Sequence, residues 1–202
     1  FPGHPLAASQ EELEQLIGYS RDIDASRAKA RALLKEAGVP EGFKFVFNNR
    51  GVDQPYKVVG TWLVDQWRKI GLDPQQTVKP SPQFYATLRK QFDFDVSIDF
   101  NCQSVINPIA DVSKFLCSAG NNYSQCESQE VEDLYNTLMR AETLDEQRSI
   151  MRQYEKAALD FASGAITLWW YKINPHRSYV KGWNIAPSHY LNQHLDNVWL
   201  DK

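Results

Sequence analysis

The chain has 202 residues and a formal net charge of −3, from 22 Lys+Arg against 25 Asp+Glu, a length that suits one domain or one domain with an appendage. Phosphate-tracking surfaces carry clustered Lys and Arg, whereas here the basic residues lie scattered among acids, so nucleic acid is excluded as the obvious partner. At 43% hydrophobic and 12% aromatic residues the chain can bury a sizeable core, and three cysteines without a CxxC pair fit neither a disulfide scaffold nor a structural zinc site.

The lead-in FPGHPLAASQ carries Pro2, Gly3 and Pro5 and reads as irregular, and Phe1 in the place of an initiator Met reads as the mark of either processing or truncation. Residues 24–37 place Ala30, Leu33, Leu34 and Ala37 at helical spacing, with Asp24 as N-cap and Gly38 past the end. After the turn VPEG, FKFVFN at 43–48 alternates as a strand does. From 54 to 70, Val59, Trp62, Leu63, Trp67 and Ile70 line a helical face that Gly71 terminates, and both tryptophans are expected in the core. A strand at 75–79 follows, then a helix capped by Ser81 and opened by Pro82, with Phe84, Tyr85 and Leu88 inward. DFDVSIDFN at 93–101 reads as the third strand.

This alternation predicts an α/β fold, a mainly parallel or mixed sheet flanked by helices. Ligands of such sheets sit beyond the carboxyl ends of strands, which directs attention to the loops after Asn48 and Phe100. Farther on, Ser128 caps a helix bearing Val131, Leu134, Tyr135 and Leu138. Thr143 and Glu146 form a capping box for a longer helix to about Phe161, with Met151, Tyr154 and Ala158 inward and Gly164 at its end. ITLWWY then reads as a buried strand. The whole apolar run AITLWWY at 165–171 is about a third of the ~20 residues a bilayer crossing needs, so no membrane span is expected.

Asp93, Asp95 and Asp99 raise the possibility of paired carboxylates, but with Ser97 they share one face of the strand, and a polar half-exposed face accounts for them. His4, His176, His189 and His194 form no metal-binding spacing such as HExxH, and neither GxSxG nor a phosphate-cradling glycine loop occurs. No cofactor is expected. The sequon Asn122-Tyr123-Ser124 is short enough to arise by chance. Cys117 and Cys126 flank a turn-rich stretch; in an exported protein a bridge between them is favoured over two buried thiols, leaving Cys102 unpaired. Trp169, Trp170 and Tyr171 are consecutive on the expected strand, so their rings alternate between faces and one can face a cleft.

Several segments in order, AKARALLKEAGVPEGFKF at 28–45, VDQWRKIGLD at 64–73, DFDVSIDFN with NP at 107–108, the long run from VEDLYNTLMRAETLDEQ to ITLWW, VKGW at 180–183 and NVWL at 197–200, resemble the family 5 extracellular solute-binding proteins. That resemblance implies two α/β lobes closing on a solute (the type II, cluster C arrangement), with residues 24–182 as the C-terminal lobe. Residues 1–23 are then a lead-in or hinge region, and 183–202 a tail returning toward the first lobe. It further implies a non-enzymatic binding component of an ABC importer, periplasmic or lipid-anchored. Its partners would be a permease and a small solute of peptide, opine or sugar-like type. In the peptide-binding branch an acid pairs with the peptide amino terminus; counting back from Pro108 puts Ser104 there, which points to a neutral or weakly charged solute.

The ligand-binding candidates are Asn48, Asn49, Phe100, Asn101, Cys102, Gln103 and Ser104, with Trp169, Trp170 and Tyr171 behind them. For Asn48 and Asn49 the competing expectation is a turn, since Asn tolerates left-handed backbone. The competing functions are a secreted hydrolase-like enzyme using Asp95 or Asp99, and a protein–protein interaction domain with exposed aromatics.

Overall fold

The alternating segments do build a parallel sheet, with helices on either face. The computed structural model describes residues 3–16, 18–101, 107–125, 127–169, 173–184 and 194–201. They divide into two compact units, Ser9–Phe100 and Phe1–Ala8 with Asn101–Lys202.

In the first unit, α1 (Gln10–Glu14) precedes α2 (Ile23–Glu36), whose N-cap is Asp22, accepting from the Ala25 amide at 2.9 Å, rather than Asp24. Ala30 and Leu34 of α2 are half-buried while Leu33 and Ala37 stay exposed, so its apolar stripe is only partly used. Strand β1 (Phe43–Arg50) pairs in parallel with β2 (Leu72–Lys79) along its whole length, from Phe43↔Leu72 to Arg50↔Lys79. β2 therefore begins three residues before the expected 75, and its Pro74 is tolerated because β2 is an edge strand. Between them lie a wide turn at Asp53–Lys57 and α3 (Val58–Arg68), and Gly71 at φ 93° turns the chain into β2.

Alternation sorts β1 by face. Phe45 and Phe47 meet the Trp67 ring edge-on, with centroids 5.2 and 5.0 Å apart, which places α3 on that side. Trp67 is half-buried against these rings rather than in the core, and Trp62 is 52% exposed: α3 seats Val59, Gly60 and Val64 inward, and the Trp62 ring falls outside that strip. Gly60 makes the close approach possible, since a Cβ there would lie 1.9 Å from Asn49 Oδ1. On the other face, α4 (Ser81–Ala86) and the wide turn Thr87–Gln91 contribute fully buried Phe84 and Leu88. Burial of such side chains is worth about 1.5–3 kcal/mol each.

The third strand is much shorter than 93–101. Only β3 (Val96–Ser97) pairs with β1, in parallel, giving the order β2-β1-β3. The Asp95 carboxylate accepts from the Val46 amide at 2.6 Å, so a side chain takes a position that ladder backbone would fill.

In the second unit, Asn107 caps α5 (Pro108–Val112), α6 (Gln129–Leu138) starts at the Ser128 cap, and α7 (Leu144–Phe161) starts at the Thr143–Glu146 capping box. The inward residues are those the spacing predicts: Val131 and Leu138 from α6, Met151, Tyr154 and Ala158 from α7. Tyr154 donates to the Val112 carbonyl at 2.7 Å and burial pushes its phenol far above the usual range. Leu6 packs beside Leu138 and Met151, while Arg148 donates from Nε and Nη2 to the Pro5 carbonyl at 3.1 and 3.0 Å, and Arg152 donates to that of Leu6.

Two expectations fail here. Helix α7 runs to Phe161 as expected, but its cap is Ala162, in left-handed backbone at φ 55°, rather than Gly164. Residues 164–169 form no strand, and Ile166, Leu168 and Trp169 are exposed, because no other described strand pairs with them. A two-residue antiparallel pair, β4 (Val180–Lys181) with β5 (Trp199–Leu200), completes the described elements. Among the described residues no helix is long and apolar enough to cross a membrane.

Candidate functional site

Parallel pairing brings the carboxyl ends of β1, β2 and β3 to one edge of the sheet, where α/β folds recognise ligands. Arg50, the last residue of β1, is the centre of that edge. Its Nε donates to Ser81 Oγ at 2.8 Å, and its Nη1 donates to the hydroxyls of Tyr56 and Tyr85, each at 3.4 Å. The guanidinium carbon lies 5.1 Å from the Tyr56 ring centroid and 5.2 Å from that of Tyr85, and Arg89 approaches the Tyr85 ring at 4.7 Å. Among the described residues no carboxylate forms an ion pair with Arg50. A half-buried cation is thus held by neutral hydroxyls and π faces alone.

Burial pushes the Tyr56 phenol up to about 12, with the Arg50 hydrogen bond pulling the other way and the Asp99 charge raising it further. Tyr56 is therefore a neutral phenol throughout the physiological range. Its ring meets Phe100 at 6.1 Å, which adds an exposed aromatic edge beside the guanidinium. Such a surface can bind an anionic group at the cation and apolar or aromatic matter around it.

The predicted residues are distributed unevenly over this arrangement. Asn48 and Asn49 are strand residues, not a turn, and both are 0% exposed. Asn48 Nδ2 donates to Ser97 Oγ at 3.1 Å and Asn49 Nδ2 to the Arg50 carbonyl at 3.0 Å, but both Oδ1 atoms are buried without a hydrogen-bond partner. They lie beneath the edge and offer no surface of their own. Phe100 belongs to the edge. Asn101 begins the second unit and donates to Asp111 Oδ1 at 3.4 Å, while burial raises the Asp111 carboxyl. Trp169 is 56% exposed in the second unit. Cys102, Gln103, Ser104, Trp170 and Tyr171 lie outside the described residues, as does Cys126; Cys117 is an exposed free thiol whose titration is raised by its Glu132 contact.

The sequence reading missed Arg50, Tyr56, Ser81 and Tyr85 as a group. Ser81, expected as a helix cap, instead gives its hydroxyl to Arg50. The available signal was an arginine at the carboxyl end of a predicted strand. Asp95 is engaged with backbone, and among the described residues no three His, Cys, Asp or Glu side chains form a metal-holding group.

Known structures share this fold. The Haemophilus influenzae OppA in complex with RPPGFSPFR aligns over 96% of this chain and 38% of its own, with a TM-score of 0.75 at 19% identity. The ABC transporter-associated periplasmic binding protein DppA from Helicobacter pylori, in complex with peptide STSA, aligns over 91% and 35%, with a TM-score of 0.71 at 21% identity. The Escherichia coli murein tripeptide binding protein MppA aligns over 72% and 29%, with a TM-score of 0.65 at 15% identity. The chain thus spans only 29–38% of the length of these proteins. No curated protein matches it. The family profile described as bacterial extracellular solute-binding proteins, family 5 Middle, matches residues 2–123, well over half of the chain, and the chain belongs to that family.

Proposed function

We propose that this chain supplies one wall of the solute cleft in the binding component of an ABC importer, and that Arg50 is its anion anchor. The observation that carries this reading is the Arg50 guanidinium, held at the carboxyl end of the central strand by Ser81, Tyr56 and Tyr85 with no paired carboxylate among the described residues. Residues 24–182 then act as the C-terminal lobe and 183–202 as the return toward the first lobe. Phe100 lies on the rim of this wall with Asn48 and Asn49 beneath it, and the sequence adds Asn101, Cys102, Gln103, Ser104, Trp169, Trp170 and Tyr171 as candidate solute contacts. Solute contacts bridging two lobes shift an open–closed equilibrium, and the closed form docks on the permease. The setting is periplasmic or lipid-anchored, and the chemistry is capture without turnover.

A short peptide fits best, since it carries a carboxylate for Arg50 and side chains for the aromatic edge. The peptides in the OppA and DppA complexes agree with this class. Sugar-like solutes lack the charge that Arg50 awaits, whereas opines, with their carboxylates, stay in the same class.

NMR titration of the 202-residue chain tests the reading. Trialanine should shift the resonances of Arg50, Tyr56 and Tyr85 with millimolar affinity, trialanine amide should bind more weakly, and Arg50→Met should erase the difference. Equal binding of the two peptides, or a rate of peptide hydrolysis that falls in Asp95→Asn or Asp99→Asn, would reject it. A concentration-dependent dimer in sedimentation that leaves all peptides unbound would favour an interaction domain.

A further inference from the structure

The guanidinium of Arg50 has five N–H donors, and the three neutral hydroxyls around it account for three of them: Nε on Ser81, and Nη1 on Tyr56 and Tyr85. Nη2 has no acceptor among the described residues, and it is not among the buried atoms left unpaired, so it meets solvent. The contacts come from two separate pieces of chain: the turn after β1, which supplies Tyr56, and helix α4, which supplies both Ser81 and Tyr85. Ring faces and hydroxyls constrain different motions: the Tyr56 and Tyr85 rings limit translation of the guanidinium, while the hydroxyls limit its rotation about Nε. A free arginine would lose several rotatable bonds on binding an anion, and here that loss precedes binding.

The geometry points to Tyr85 and Ser81 as positioning residues that hold Arg50 so that Nη2 alone is presented to the anionic group of the solute; this deepens the anion-anchor reading above and rests on it. Tyr85 is the stronger of the two. Its ring is approached by both Arg50 and Arg89, and its hydroxyl accepts from Arg50 as well. Removing the ring frees the guanidinium plane, whereas removing only the hydroxyl leaves the ring contact in place. A lysine at position 50 would have neither the planar group for the rings nor a donor fixed toward Ser81.

The test is the selectivity ratio, the affinity for trialanine over trialanine amide, measured by NMR titration of the whole chain. Tyr85→Leu should lower this ratio by about tenfold and Tyr85→Phe by no more than about threefold. Arg50→Lys should not restore the ratio lost in Arg50→Met. A second measurement covers a Tyr85→Leu variant that does not fold: the Arg50 Nε–H should exchange slowly with water in the parent and about tenfold faster in Ser81→Ala. An unchanged ratio in Tyr85→Leu, or unchanged exchange in Ser81→Ala, while Arg50→Met still abolishes selectivity, overturns the positioning roles. Selectivity that survives Arg50→Met overturns instead the anchor reading beneath them.

Discussion

Residues 9–100 bury Asn48, Asn49 and Thr87 together with Phe47, Phe84 and Leu88, whereas the buried set of the other unit is Leu6, Leu116, Val131, Leu138, Met151, Tyr154, Ala157 and Ala158. In the first unit polar groups penetrate the interior: two carboxamide oxygens are without partners, and Thr87 accepts from Lys79 while donating to Gln91. In the second, polar groups mostly meet backbone, in the Thr143–Glu146 box, the Tyr154 hydroxyl on Val112, and the Arg148 and Arg152 contacts to Pro5 and Leu6, while Arg152 Nε is buried without a partner. A buried unsatisfied carbonyl costs about 1–3 kcal/mol. The first unit carries that cost in strand carboxamides beneath the candidate cleft and the second in a helix guanidinium at Arg152, so the two differ in where in the fold their unsatisfied groups lie.

Three experiments act on this difference. Leu138→Ala should have the largest effect, about 2–5 kcal/mol in urea unfolding, because it opens a cavity among Leu6, Met151 and Ile150; protection of the β1 amides should be unaltered. Loss of β1 protection in that variant would mean the two interiors are not independent. Gly60→Ala comes next. Its methyl would collide with Asn49 Oδ1, so a helix-favouring change should cost about 1–3 kcal/mol and move the Trp67 fluorescence, while α7 amides stay protected. A neutral or stabilising result would mean that the Asn49 carboxamide can turn away freely.

Acid should produce the smallest change. Hydrogen bonds from the backbone and hydroxyl of Thr143 hold the Glu146 carboxyl below its ordinary value of 4.5. The group's contribution is therefore complete above pH 4.5 and is lost as pH falls through the lower folded value. Hydrogen exchange at the first turn of α7 should quicken only below pH 4.5, and Glu146→Gln should show no such dependence. Equal acid sensitivity in the variant would assign the effect to other carboxylates.

Local physics accounts for how much of this was legible from residues alone. Helices α6 and α7 were readable because their caps lie three residues from the amides they serve and their apolar spacing coincides with what is buried. β1 was readable from alternation. The third strand was overextended because the Asp95 carboxylate reaches Val46, 49 residues away, and no periodicity records that contact. Trp62 was misplaced because the apolar positions on α3 outnumber those its sheet can cover, and the Gly60–Asn49 approach selects among them. The site was hidden for the same reason: Arg50 meets Ser81 and Tyr85 across 31 and 35 residues. Ser81 also carried a plausible local role as a cap, which competed with its long-range one.

Leu6 belongs to the helical unit although the entire sheet unit follows it in the chain. Topologically, residues 9–100 form an insertion whose two ends are anchored on the same foreign core. The closure entropy of such a loop grows only with the logarithm of its length, about 0.6 kcal/mol per doubling, so seating Leu6 costs nearly the same whether the insert is long or short. Its consequence lies in timing, since contacts so distant in sequence form late and slowly. The segment around Pro5 and Leu6 should therefore be the last piece of the helical core to gain protection during refolding, after α6 and α7 have met.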